Sequence, residues 1–470
     1  MAVSDDERYI LDVPNEESRK LAIGWLVLAL GSLVFGGLLT VLIVLSRTPG
    51  VQDFIPWIDF FHTAIVVHVD LTVLVWFLSF AGLMWSLTCS PKAAKWNWLA
   101  LGITTLGTII FAVSPFFGAA NPLMNNYVPV LQDPMFLVGL AIFGVGFSVL
   151  VVTNLIYQDP IGKLDQAASA IRFAIMTAIV AALVSVLSVV ATYLLMPASY
   201  EGRQFYELLF WGGGHVLQFT HTQLMLVAWL WLATTTGVMC GINPRTAAVI
   251  FGLGFLPVLF TPIIYVVYDV ASAEHLTAFT KMMQYGGGIA PVIIGCYLLM
   301  AVVGEKRKHI VSRPESIALL FSVILFGAGG IIGYLIREIN VTVPAHYHGS
   351  IVAVTLAFMG LTYYLLPRLG FAEPMFRLAR WQPAIYGGGQ LMHVLGLAWS
   401  GGYGVKRKTA GAAQGLDNIP EIIGMAVMGL GGLIAVIGGL LFLIIAFKSI
   451  MGGRVKQQPG KLVGSYSAQH

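Results

Sequence analysis

The 470-residue chain is 57% hydrophobic and only 10% charged, with a mean hydropathy of +0.83, which no soluble protein of this size tolerates on its surface; it is an integral membrane protein. Lys and Arg exceed Asp and Glu by only four, which argues against nucleic-acid binding. The three cysteines, Cys89, Cys240 and Cys296, lack C-x-x-C spacing, which excludes a disulfide framework, a zinc knuckle and a covalent heme-attachment motif and leaves packing roles.

Residues 1 to 20 are polar, and the first apolar run leads to another span rather than to a cleavage site, so no signal peptide is expected. Apolar runs long enough to cross roughly 30 Å of hydrocarbon at about 1.5 Å per residue recur twelve times. The first covers 20 to 46. The second, 62 to 89, opens on His62 and carries His68 and Asp70 in the string HVDLTVLVWFL. The third, fourth and fifth cover 96 to 118, 134 to 157 and 168 to 195. The sixth, 206 to 236, holds FWGGGHVLQF with His215, followed by His221. The seventh, 245 to 269, ends IIYVVYDVASAEH. The eighth and ninth cover 276 to 303 and 314 to 337. The tenth, 343 to 367, opens on VPAHYHG, the eleventh, 381 to 402, carries the start of MHVLGLAWSGGYGVKRK, and the twelfth covers 419 to 447. With no linker, low-complexity tract, soluble domain or internal repeat, residues 1 to 470 read as one all-α membrane domain with a core of about 20 to 450.

With a cytoplasmic N-terminus, inner loops and termini hold 19 of the 26 Lys and Arg, as expected of cytoplasmic segments. Both termini are then inside, and the expected location is the cell's inner membrane. The exception is Lys406, Arg407 and Lys408 on the outer side, which points to an anionic group beside them.

Six histidines fall in the outer half: His62, His68, His215, His221, His346 and His348. Ionisable groups at this depth are costly, so their grouping points to function. A lone histidine at a helix end is more often a hydrogen-bonded or headgroup-facing residue, and that reading holds for His62 taken alone. His346 and His348 project about 200° apart on a helix, so they reach two different cofactors rather than sharing one metal. His68 lies at a similar depth, where it can supply the second axial imidazole of a six-coordinate, electron-carrying heme held by His348; a satisfied core histidine is the alternative.

The H-x-H of the tenth span, the FWGGGHVLQF string and the MHVLGLAWSGGYGVKRK string together resemble subunit I of the heme-copper oxidase superfamily, over nearly the whole chain. The resemblance implies that family's twelve-helix arrangement. It also implies a high-spin heme on His346, a low-spin heme between His68 and His348, a non-heme metal on His215, and heme propionates near His393, Lys406, Arg407 and Lys408.

Three departures set this chain apart from most of that family. Where the seventh helix usually ends in two metal-binding histidines, this chain has Tyr268 and Asp269, with Gln218 and His275 as the nearest further candidates. Carboxylate oxygen suits iron better than cuprous copper, so the second metal is expected to be non-heme iron, as in the nitric oxide reductase branch; a structural helix-end acid is the alternative for Asp269. The tyrosine one turn after the metal histidine in many oxygen reductases is Phe219 here, with Tyr265 and Tyr268 as possible substitutes. The eighth-helix lysine of a proton channel is also missing, since Pro291 is followed at that distance by Gly295.

The expected activity is reduction of two nitric oxide molecules to nitrous oxide and water at a high-spin heme and a non-heme iron, each holding one nitrogen. Two b-type hemes and one iron (copper as the alternative) are the implied cofactors. Membrane lipid surrounds the chain, and a partner subunit, cytochrome c, a cupredoxin or a quinol is the electron donor. Glu207, Asp70 and Glu274 are candidate acids for a short proton path from outside. Oxygen reduction, nitric oxide dismutation, a non-catalytic heme-bearing electron relay and a cofactor-free transporter are the competing readings.

Overall fold

The computed structural model describes residues 8–46, 60–118, 120–238, 241–303, 313–408 and 416–453; Cys240 lies outside them. Within them the chain forms twelve long helices in the predicted order. They are α1 (Glu16–Ser46), α2 (Phe60–Val69, a π segment Asp70–Val75, and Trp76–Ser86), α3 (Ala94–Val113), α4 (Pro134–Ile156), α5 (Ala167–Leu195), α6 (Gly202–Thr236), α7 (Pro244–Val267), α8 (Ala273–Gly286 and Ile289–Val303), α9 (Pro314–Leu335), α10 (Thr342–Arg368), α11 (Phe376–Gly401) and α12 (Ile419–Met451). Eleven are long and apolar enough to cross a membrane. The remaining one, α11, has a comparable length but carries Arg377, Arg380, Gln382, Gln390 and His393.

Local chemistry sets the helix ends. The Asp133 carboxylate accepts the Phe136 amide at 2.8 Å, Asn243 accepts that of Thr246 at 2.9 Å and Ser272 that of His275 at 3.1 Å. Asn418 and Glu421 form a capping box at the start of α12, each arrangement satisfying amides that the first turn leaves unpaired. Three helices depart from regular α geometry at identifiable places. A π segment follows Val69 in α2, Pro257 lies in the 3₁₀ stretch of α7, and the two parts of α8 meet at Gly287 and Gly288.

Lipid tails are as apolar as leucine, so membrane helices associate through close backbone approach and hydrogen bonds. Glycines supply that approach between α9 and α10, where a Cβ added at Gly349 would lie 2.6 Å from the Gly329 Cα. They do so again between α11 and α12, where a Cβ at Gly431 would lie 2.5 Å from the His393 nitrogen. Helices α6 and α10 are the most enclosed and form the centre of the bundle.

Two faces result. The near face, where α1 begins and α12 ends, is tied by Tyr9, whose hydroxyl donates to the Ile242 carbonyl at 2.8 Å, and by Arg19, which donates to the Leu369 carbonyl at 2.8 Å. On the far face a short antiparallel hairpin, β1 (Pro122–Leu123) with β2 (Val130–Leu131), lies in the α3–α4 connection, pairing Pro122 with Leu131 and Leu123 with Val130. It is tied by the Lys408 ammonium, which donates to the Met124 carbonyl, and by Asn126, which donates to the Glu207 carboxylate.

Candidate functional site

Three histidines on α2 and α10 share one arrangement. The Nδ1 of His68 lies 2.9 Å from the Gly36 carbonyl and 3.0 Å from the Thr40 hydroxyl, both on α1. The Nδ1 of His346 lies 2.7 Å from the Gly329 carbonyl on α9, and that of His348 lies 2.9 Å from the Pro344 carbonyl one turn earlier. A carbonyl only accepts, so each Nδ1 is the donor and each Nε2 keeps its lone pair, the tautomer that a metal-ligating imidazole needs. Close passage of α9 is required at His346, because a Cβ at Gly333 would lie 2.6 Å from its Nδ1.

The His348 ring lies 4.9 Å from that of His393 on α11, whose Nδ1 is held 3.0 Å from the Met428 carbonyl on α12. The three cations sit above this pair on the far face. Lys406 is exposed, Arg407 donates to the Asn126 side chain at 3.4 Å and lies within electrostatic range of Tyr347, and Lys408 reaches Met124. Burial, followed by the neighbouring charges of Arg407 and Arg203, pushes the Lys408 ammonium down to about 8. A crowded cluster of this kind favours an anion.

On α6 the Nδ1 of His215 lies 2.7 Å from the Trp211 carbonyl. Its ring is enclosed by Tyr127 at 4.7 Å, Trp211 at 4.8 Å and Phe279 at 6.0 Å. Phe279 lies in turn 5.0 Å from His275, a buried residue in the first turn of α8. Tyr265 on α7 packs 4.9 Å from His275, and its hydroxyl donates to the Ser188 carbonyl at 2.9 Å and pairs with Thr192 at 2.7 Å. The Phe279 ring thus lies against both imidazoles.

The residues that end the seventh helix pass beside His275, whose ring bonds to the Tyr268 backbone and lies within electrostatic range of Asp269. That helix ends at Val267, Tyr268 is extended and 38% exposed, and Asp269 is exposed. The Asp269 carboxylate accepts the Ala271 amide at 2.8 Å, and its carbonyl accepts the Ser272 hydroxyl at 2.7 Å. The acid therefore closes the turn into α8. Gln218 is half-buried on α6. Glu274 is exposed, Glu207 is bound by Asn126, and Asp70 is buried with neither oxygen hydrogen-bonded among the described residues. His221 is also buried, with its ring 4.9 Å from Phe77 and neither nitrogen hydrogen-bonded among the described residues.

Among the described residues no group of three His, Cys, Asp or Glu side chains is placed to hold a metal ion. The donors therefore fit heme at His68, His348 and His346, and they do not fit a non-heme iron at His215. Sequence reasoning missed Tyr127 and the burial of His275. The signal for Tyr127 lay in the glycine run before His215, since three adjacent glycines in a membrane helix announce close neighbours.

The profile of the cytochrome c and quinol oxidase polypeptide I family matches residues 20–448. An uncharacterized protein of Rickettsia prowazekii is 31% identical over 93% of this chain and 97% of its own length. An uncharacterized protein of Aquifex aeolicus is 28% identical over 76% of this chain and 88% of its own. Among solved structures, the cryo-EM structure of a heme-copper terminal oxidase dimer matches with a TM-score of 0.65 at 16% identity, covering 94% of this chain and 86% of that one.

Proposed function

This chain belongs to the cytochrome c and quinol oxidase polypeptide I family of the heme-copper oxidase superfamily, and from that premise we propose that it is the two-heme electron-transfer core of a membrane respiratory complex. The observation that carries the reading is the set of three imidazoles, each with Nδ1 donated to a backbone carbonyl and Nε2 left for iron. In this reading His68 and His348 hold a low-spin heme and His346 holds a second heme. Each heme, when bound, supplies a one-electron Fe(III)/Fe(II) couple.

The protein's part is positional. Gly36, Gly329 and Pro344 fix the three rings, and the two imidazoles of the H-x-H point to opposite sides of α10, which sets one heme on each side of it. Lys406, Arg407 and Lys408 lie on the same far face and balance anionic heme substituents there. The near face is cytoplasmic and the membrane is the inner membrane, with electrons arriving from a partner subunit, cytochrome c, a cupredoxin or a quinol.

Nitric oxide reduction is the second reading. The observations favouring it are the buried His215 imidazole with its Nε2 available, and Phe219 at the position of the oxygen-splitting tyrosine. It requires a non-heme iron, for which no group of three His, Cys, Asp or Glu side chains is assembled among the described residues. Heme content by pyridine hemochrome, total iron and copper by mass spectrometry, and turnover with nitric oxide and with dioxygen separate the readings. The proposal expects two hemes per chain, iron equal to heme, and a low-spin cytochrome band on reduction. Heme-free protein would defeat it, whereas one further iron per chain together with nitrous oxide production would establish the second reading instead.

A further inference from the structure

On the near face, away from the histidines, a groove of about 490 Å³ opens between α5 and α7. It is lined by Leu164 in the α4–α5 connection, Phe173 on α5, and Arg245, Ala248, Val249 and Gly252 on α7. Both helices begin at this face, so depth is counted from their first residues. Arg245 is the second residue of α7 and Gly252 the ninth, which at about 1.5 Å per residue lies roughly 10 Å deeper.

The groove therefore changes character along the membrane normal, with a cationic mouth above apolar walls. Lys163 and Arg172 each precede a lining residue, so together with Arg245 three cations lie at this end against one acid, Asp165. Asp159 belongs to the α2–α3 side instead, within electrostatic range of Cys89. Arg245 stands 3.7 Å from the Asp165 carboxylate, beyond hydrogen-bond range, and an exposed pair of this kind is worth little. The Arg172 Nε is buried with no hydrogen-bond partner among the described residues, and a buried donor calls for an acceptor.

Gly252 makes the room. Among the described residues a Cβ there would find only the Phe173 ring, at 4.0 Å, so no side chain of this chain fills the space between α5 and α7 at that depth. Val249, one turn nearer the mouth, is 61% exposed and faces out of the bundle. Deeper along α7, Leu256, Leu259 and Phe260 are exposed and bulky and take no part in the groove. A helix from another subunit needs about 20 residues to cross roughly 30 Å and would have to ride over that ridge. An anionic amphiphile that occupies the outermost 10 Å or so meets a matching surface.

We propose that this groove binds one anionic phospholipid of the near leaflet, with its phosphate on Arg245 and Arg172 and the upper part of one acyl chain between Phe173 and Val249, over Gly252. The planar guanidinium fork matches two phosphate oxygens, and a basic pocket between membrane helices selects headgroups that ordinary boundary contact does not. The site lies on α5 and α7 and depends on no heme assignment.

The test uses the unaltered full-length complex in phosphatidylcholine nanodiscs. A small fraction of phosphatidylglycerol carries a photoactivatable diazirine high on one acyl chain, and the matched phosphatidylcholine probe is the control. After irradiation, mass spectrometry maps the adducts. Phosphatidylglycerol is expected to mark the peptides holding Phe173 and Val249 about tenfold more than the control probe, whereas the two probes mark the exposed side of α12 around Leu433 alike. Equal marking of the groove by both probes overturns the proposal. Marking that occurs only after a partner subunit is removed also overturns it, and assigns the groove to a partner helix.

Two substitutions separate a shaped site from diffuse attraction. Arg245→Gln is expected to lower groove marking by phosphatidylglycerol about fivefold, the worth of one basic residue beside an anionic headgroup, without altering the control. Gly252→Leu fills the groove while keeping every charge, and is expected to lower the marking at least as far. Marking that survives either change overturns the site as described. Should the variants fail to assemble, competition on the unaltered complex decides: unlabelled phosphatidylglycerol displaces the groove adducts and an equal amount of phosphatidylcholine does not, and equal displacement by the two lipids overturns the proposal.

Discussion

The phenol ring of Tyr127 lies 4.7 Å from the imidazole of His215, inclined by 52°, and rests against Gly214 of α6. A far-face connection thus reaches into the membrane bundle and covers the His215 imidazole. Burial, and next the charge of Glu207, hold the Tyr127 phenol above its ordinary range, so it stays protonated at physiological pH. The three glycines before His215 each accept a different neighbour. Tyr265 lies against Gly212, the Ser185 carbonyl and Val189 against Gly213, and Tyr127 against Gly214.

Substituting Gly214→Ala is expected to destabilise the complex by about 1 to 3 kcal/mol, the usual cost of overpacking a filled interior. The added methyl would overlap the Tyr127 ring at its Cγ. Thermal unfolding in detergent measures the loss. The double variant Gly214→Ala, Tyr127→Ala should be less destabilised than the sum of the two single changes, because the clash is removed with the ring. Strict additivity would place the effect elsewhere on α6.

The histidine assignments divide the spectrum into two parts. Replacing His68 or His348 by Ala should remove the low-spin band and leave about one heme per chain, since a six-coordinate site does not survive loss of an axial imidazole. Replacing His346 by Ala should keep the low-spin band and remove the other heme. Reduced-minus-oxidised spectra with pyridine hemochrome counts check both outcomes. Identical losses from all three variants would mean that the rings serve one cofactor.

The twelve helices were legible because a bilayer demands unbroken apolar runs, and even α11, with its glutamines, retained enough length to be read as a span. The divergence of the H-x-H pair was legible too, because residues two apart on a helix project about 200° apart, and His346 meets Gly329 on α9 while His348 meets His393 on α11. The His215 surroundings were not. Tyr127 comes from a connection some 90 residues earlier in the chain, and no periodicity links it to α6. Asp269 stayed ambiguous for a local reason: an acid at the end of an apolar run reads equally as a ligand or as the closer of a turn, and no periodicity announces the Ala271 amide bonded to it.

The far-face cations give a pH dependence of definite sign. Lys408 has its ammonium lowered from 10.5 to about 8 in the folded chain, first by burial and then by Arg407 and Arg203. Between those values the unfolded chain binds more protons than the folded one, so this residue's contribution to stability rises with pH from about 8 to about 10.5; below 8 the full penalty of holding the charge applies. The unfolding temperature of the unaltered protein, minus that of Lys408→Met, should therefore increase across that window. A difference that is flat, or that falls, would show that an anion beside Lys408 restores its ordinary ionisation.

The decisive substitution for the second metal is Asp269→Asn. The exposed acid accepts one backbone amide in the α7–α8 turn, a role that asparagine performs nearly as well. Its loss should cost no more than about 0.5 kcal/mol, as for most surface changes, and should leave heme content, iron content and any nitric oxide turnover unaltered. His215→Ala should likewise leave the iron-to-heme ratio unchanged, because Phe279, Tyr127 and Trp211 surround that imidazole in place of further donors. If Asp269→Asn and His215→Ala each removed the same single iron per chain, the turn would have to open in the assembled complex and bring the carboxylate to His215, and the heme–iron reading would displace the two-heme relay.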